Sequence, residues 1–228
     1  MRMRKKKNLP ARIERVSDLH IKNPDELRGG WKAAFSGFTD IHIEIGCGKG
    51  RFTVETAAAN PDILFIAIER VWEAMIVAME RAKELALENV FFIDMDAAEM
   101  ENVFDSREVG RIYLNFCDPW PSRKHAKRRL TSPNFLLSYS KVLRPGGEVH
   151  FKTDNPGLFE YSADQFKNHG FELTEVSENL HENGVSTVLT DYEAKFIARG
   201  LPIFHIVARL KQEDTQNTAS LKQDYAAP

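Results

Sequence analysis

The chain has 228 residues, of which 43% are hydrophobic and 28% charged, and its formal net charge is −2 at pH 7. That is ordinary globular composition with enough length for one substantial core, and the charge balance excludes a wholly basic nucleic-acid binder. Two cysteines, Cys47 and Cys117, cannot build a disulfide framework, and no Cys/His spacing suits a metal. The charged N-terminus is not followed by an apolar run, and no stretch approaches the ~18 apolar residues needed to cross a bilayer. The expectation is a reduced, cytoplasmic protein that neither enters a membrane nor binds a metal.

Residues 1–35 are polar and basic, with Arg2, Arg4, Lys5, Lys6 and Lys7 clustered, and read as an N-terminal arm carrying at most a short helix at 25–35. The β-branched run 41–46 predicts a strand that ends in glycine. A helix follows, stopped by Asn60-Pro61. Strand 63–69, helix 71–87, strand 89–96 and strand 111–116 come next, then helix 134–143, closed by Arg144-Pro145-Gly146-Gly147. Strand 147–154, helix 156–169, strand 171–177, helix 191–200 and strand 202–210 complete the pattern, and 211–228 reads as a disordered polar tail. Alternating strands and helices mean parallel strands joined by helical crossovers. The fold class is therefore α/β: a doubly wound, mostly parallel seven-stranded sheet filling a domain over 36–210, with the last two strands as an antiparallel edge.

Open sheets of this kind bind ligands at the carboxyl ends of their strands. The first such end is EIGCGKG, in which Gly46, Gly48 and Gly50 let the backbone turn sharply near a ligand. The spacing is GxGxG, neither the dinucleotide GxGxxG nor a P-loop. Glu44 would repel a phosphate and suits a ligand with positive charge. Glu69 closes the second strand, placed to accept hydrogen bonds from ribose hydroxyls, and Asp96 closes the third, where an adenine edge fits. An adenosine ligand with a cationic amino-acid part and no phosphate is S-adenosylmethionine. Taken singly, the glycine loop is equally a tight turn and the acids are equally helix caps.

The fourth strand delivers Asp118-Pro119-Trp120-Pro121 to the same edge, followed by Arg123, Lys124, His125, Lys127, Arg128 and Arg129. The prolines stiffen the loop, Trp120 offers an aromatic face for a base, and Asp118 can accept hydrogen bonds from a base edge. The cations suit phosphates around a target nucleotide. Each feature has a plainer reading: a core tryptophan and a solvated basic face. Cys47 and Cys117 read as small buried residues, since nothing else supports a cysteine nucleophile. Asp154 stands beyond the fifth strand, where it could instead cap the next helix. Thr190 could likewise cap the helix from 191. A methyltransferase of a small molecule or of another RNA, a nucleotide-dependent oxidoreductase and a non-catalytic RNA-binding protein remain as alternatives.

Together, EIGCGKG, DPWPSRKHAKRRL, FKTDN and TDYEAKF resemble the bacterial tRNA (guanine-N7-)-methyltransferases over roughly residues 15–210. The resemblance implies a class I methyltransferase fold and methyl transfer from S-adenosylmethionine to N7 of guanine 46 in the tRNA variable loop. It implies cofactor contacts at Glu44, Gly46, Gly48, Glu69, Asp96 and Asp118, with a catalytic role for Asp118. It places Asp154, Thr190, Asp191, Tyr192 and Glu193 in the substrate site. Lys124, His125, Lys127, Arg128 and Arg129 become RNA contacts. The pattern breaks at Ser122, where the family commonly has lysine, leaving Arg123 or Lys124 to supply that charge. Both a monomer and a homodimer are compatible with the sequence.

Overall fold

The computed structural model describes residues 8–182, 188–190 and 192–212. Seven strands form one sheet: β1 (Asp40–Ile45), β2 (Ile63–Ile68), β3 (Val90–Ile93), β4 (Val109–Asn115), β5 (Leu143–Thr153), β6 (Phe171–Ser177) and β7 (Phe204–Leu210), in the order β3-β2-β1-β4-β5-β7-β6. The helices are α1 (Leu9–Arg15), α2 (Trp31–Ala34), α3 (Arg51–Ala59), α4 (Trp72–Glu84), α5 (Met100–Val103), α6 (Pro133–Val142), α7 (Pro156–Asn168) and α8 (Glu193–Ile197). From β3 to β5 all neighbours are parallel, and β7 alone runs against β5 and β6. None of the helices among the described residues is long and apolar enough to cross a membrane.

Strand alternation sorts side chains onto two faces. Ile41, Ile43, Ile45, Ile66, Ile112, Leu114 and Phe151 form one apolar face, which packs with Leu136, Tyr139, Leu158 and Phe166 of α6 and α7. The other face carries Phe65, Ala67, Phe92 and Tyr113 under Val54, Ala57, Met75 and Met79 of α3 and α4. Burial on both sides is why the parallel strands read as continuous β-branched runs.

The last two strands form the expected antiparallel edge, and the structure adds their order: β7 lies between β5 and β6, so β6 is outermost. Accordingly β7 is buried over His205–Ala208 whereas β6 is exposed along most of its length. One expectation changes: 9–35 is not a free arm. Val16, Leu19 and Trp31 are buried, Trp31 Nε1 donates to Val103 O at 2.9 Å, and the Ile21 N–H donates to Phe92 O at 3.0 Å beyond β3. Arg12 of α1 pairs with Glu80 of α4. Leu9, Ile13 and Val16 stand at i, i+4 and i+7 and pack on the α3/α4 side of the core, a helical spacing confined to a helix of seven residues and set among charges, too short to mark α1 in the sequence. The basic cluster 2–7 lies outside the described residues, as do 213–228 of the tail.

Candidate functional site

β1 is followed in sequence by β2 and β3 on one side, and β4 by β5 on the other, so the order reverses between β1 and β4. The carboxyl ends of those two strands open a crevice at this switch point. Gly46, Gly48 and Gly50 follow β1, all with positive φ (79°, 57° and 73°). At Gly46 and Gly48 a Cβ would meet nothing within 4 Å, whereas at Gly50 it would stand 2.3 Å from Ala78 Cβ. The first two glycines keep space open above the crevice, and the third lets α3 lie against α4.

Glu44 is 3% exposed, with one carboxylate oxygen taking the Thr53 hydroxyl and the other the Asn115 amide at 2.9 Å. Burial raises its pKa against these hydrogen bonds. Glu69 is held by two backbone donors, Gly48 N–H at 2.9 Å and Val71 N–H at 2.8 Å, one to each oxygen. Its carboxylate is thus fixed to the glycine loop, with lone pairs remaining for a ligand. Asp96 caps the turn after β3 by accepting from Ala98 N–H at 3.0 Å, and pairs with Arg70 at 3.0 Å. Asp96 is thus a cap, and it also lines the crevice.

Past Asn115 the chain turns through a left-handed Phe116 (φ 52°), and Trp120 is left-handed as well (φ 40°). Asp118 is exposed and has no hydrogen-bond partner among the described residues. The basic run forms a 3-10 helix over Arg123–Arg128. Arg128 lies over the Trp120 ring at 4.9 Å, and the His125 ring meets it edge-on at 5.8 Å. Arg129 departs from the run. Its guanidinium donates to Pro119 O at 3.1 Å and Trp120 O at 3.0 Å, and stacks 4.3 Å over Tyr161. It fastens the Asp-Pro-Trp-Pro loop to α7 instead of facing outward with its neighbours.

A cavity of about 840 Å³ is lined by Gly46, Glu69, Asp96, Asp118, Trp120, Lys127 and Arg128, among others. A smaller one of about 270 Å³ adjoins it, with Glu44, Gly46, Gly48, Thr190 and Tyr192 in its wall. Asn115 and Phe116 line both; the sequence reading assigned neither a role, although both stand in the NFCDPWP stretch. Cys117 is not a reactive thiol, because burial pushes it up to about 12.

The other site residues divide. Asn155 Oδ1, not Asp154, caps α7 by accepting from Leu158 N–H at 2.8 Å, so Asp154 is released from that duty. It acts instead on Tyr192, whose phenol is raised by burial first and then by the Asp154 carboxylate. Tyr192 packs on Phe116 at 5.1 Å and Phe196 at 4.7 Å. Thr190 and Glu193 form a reciprocal capping box: Glu193 N–H donates to Thr190 Oγ1 at 2.8 Å, and Thr190 N–H to Glu193 Oε2 at 3.2 Å. Glu193 is wholly buried. It lines neither cavity. Asp191 lies outside the described residues. Lys124 is exposed, away from both cavities.

The seven-stranded sheet, the glycine loop and the strand-end acids define a class I methyltransferase. A family model described as "Putative methyltransferase" matches residues 39–206. The tRNA (guanine-N(7)-)-methyltransferase of Listeria innocua is 42% identical over 214 residues, 93% of this chain and 100% of that protein. The tRNA (guanine-N(7)-)-methyltransferase of Bacillus cytotoxicus is 43% identical over 217 residues, 95% of this chain and 100% of that protein. Among solved structures, an antibiotic-related methyltransferase shares the fold, with a TM-score of 0.62 at 19% identity over 80% of this chain and 94% of that one. The chain belongs to the tRNA (guanine-N(7)-)-methyltransferase family.

Proposed function

We propose that this protein methylates N7 of a guanine in tRNA, the guanine at position 46 of the variable loop, using S-adenosylmethionine. One observation carries the reading beyond family membership: the unpartnered Asp118 carboxylate shares a cavity with Glu69, Asp96, Trp120, Lys127 and Arg128.

The crevice suits the donor on its own chemistry. Gly46 and Gly48 leave open space, Glu69 would hold the ribose hydroxyls with its fixed carboxylate, Asp96 would take the adenine edge, and Glu44 would supply buried negative potential for the cationic amino-acid part. When bound, S-adenosylmethionine supplies an electrophilic methyl group on a sulfonium. Guanine N7 has a lone pair and no proton, so the protein needs to orient the ring and not to deprotonate it. Asp118 accepts hydrogen bonds from the guanine N–H edge and offsets the positive charge that grows on the ring. Lys124, His125, Lys127 and Arg128 hold phosphates, which fixes position without reading sequence. Asp154, Thr190 and Tyr192 bound the nucleotide from the other side. A tRNA substrate fits a cytoplasmic protein with reduced cysteines.

The test is a methyl-transfer assay with labelled S-adenosylmethionine and unmodified tRNA, followed by nucleoside analysis. 7-methylguanosine mapping to the variable loop is expected. Donor binding with unlabelled tRNA would keep the crevice and refute the substrate.

A further inference from the structure

Lys152, the lysine of FKTDN, has no part in the reading above. It projects from β5, 6% exposed, and its Nζ lies 3.3 and 3.4 Å from the two oxygens of Glu193, which is 0% exposed. The ammonium also stands 5.6 Å over the Phe52 ring of α3. Glu193 takes His181 Nε2 at 3.0 Å in addition to closing the capping box with Thr190. One buried carboxylate thus joins a central strand, the segment after β6, and the start of α8.

Burying two charges costs desolvation that their attraction rarely exceeds, so such a pair is weak evidence of a stability device. What it fixes here is a place. α8 has five residues, too few to hold itself by its own hydrogen bonds. Its apolar anchoring is partial: Phe196 is half-buried against Tyr192, while Tyr192, Ile197 and Leu201 are exposed. Yet Thr190 and Tyr192 form the wall of the smaller cavity that faces the glycine loop, and Tyr192 rests on Phe116, two residues before Asp118. The position of that wall is inherited from Glu193.

We propose that Lys152 and Glu193 are positioning residues: their buried pair fixes the turn carrying Thr190 and Tyr192 against Phe116, and so sets the geometry in which the target base meets the methyl donor. The catalytic consequence rests on the function proposed above; the anchoring does not.

The variants are Lys152→Met, Lys152→Arg and Glu193→Gln, the last keeping the cap while removing the charge. Turnover with tRNA and amide hydrogen exchange across 188–201 are measured on each. In Lys152→Met we expect kcat to fall about tenfold or more. KM for tRNA should stay within about twofold, because the cations after Asp118 are untouched, and Lys152→Arg should recover part of the loss. Exchange should quicken in 192–200 and not in β1, β4 or α4. Wild-type kcat in Lys152→Met and Glu193→Gln, or unchanged exchange at 192–200, would overturn the proposal. So would a global loss of stability in both, which would make the pair a fold element. If the wild-type protein leaves tRNA unmethylated, the functional reading falls, and hydrogen exchange alone decides the anchoring.

Discussion

Replacing each glycine of the loop by alanine separates support from binding. Gly50→Ala meets two penalties. Its φ of 73° is left-handed, costing an L-residue about 1–2 kcal/mol. Its Cβ would also stand 2.3 Å from Ala78 Cβ and 2.8 Å from Ala78 Cα. The second atom is backbone, so α4 must shift, and overpacking of this kind costs roughly 1–3 kcal/mol. A total of about 3 kcal/mol lowers Tm by roughly 6–12 °C in a protein of this size. Gly46→Ala carries only the backbone penalty, since nothing stands within 4 Å of its Cβ. Its Tm should fall by about 2–8 °C, while the added methyl narrows the crevice and weakens donor binding by about tenfold. Thermal denaturation and calorimetric titration with S-adenosylmethionine read both quantities. A Gly50→Ala protein melting within about 2 °C of wild type would refute the packing argument. So would a Gly46→Ala protein that is equally destabilised yet binds the donor normally.

Asp118→Asn should lower turnover by about 10²-fold while leaving donor affinity near wild type; unchanged single-turnover rates would remove Asp118 from the chemistry. Lys127→Ala with Arg128→Ala should weaken tRNA binding and flatten its salt dependence by about one unit of slope per lost phosphate contact. Arg129→Ala should mainly lower stability, because it frees the carbonyls of Pro119 and Trp120; titrations at several salt concentrations distinguish the two classes. Trp31→Ala should cost about 3–5 kcal/mol by denaturant unfolding, a loss that a free arm would not show. His150 and His205 are both held down to about 4, mainly by burial, then by Arg111 for the first and by His150 for the second. Unfolded histidine titrates near 6.5, so between about 6.5 and 4 the unfolded chain binds more protons and stability falls as pH falls. Between pH 7.5 and 5 this amounts to about 2 kcal/mol per histidine. Glu148, held at about 2, adds its loss only below the ordinary carboxylate range. Denaturation at the two pH values should show the drop, and His150→Gln with His205→Gln should reduce it.

The sequence by itself determined the alternating elements, the parallel core and the acids at the strand ends. Those features arise from local periodicity: a strand buried on both faces must be apolar throughout, and a residue at a strand's end stands at the sheet's edge wherever the strand lies. The glycine loop was legible for the same reason, since Gly46, Gly48 and Gly50 answer to their own φ angles. Tertiary structure decided what depends on a partner distant in sequence. It put β7 inside β6, made 9–35 part of the core, and turned Arg129 inward while Lys124 stayed exposed. It also buried Glu193 against Lys152, 41 residues away in the chain. Sequence shows that a side chain is charged, but whether it meets water, phosphate or an opposite charge is settled only when the fold brings the second group to it.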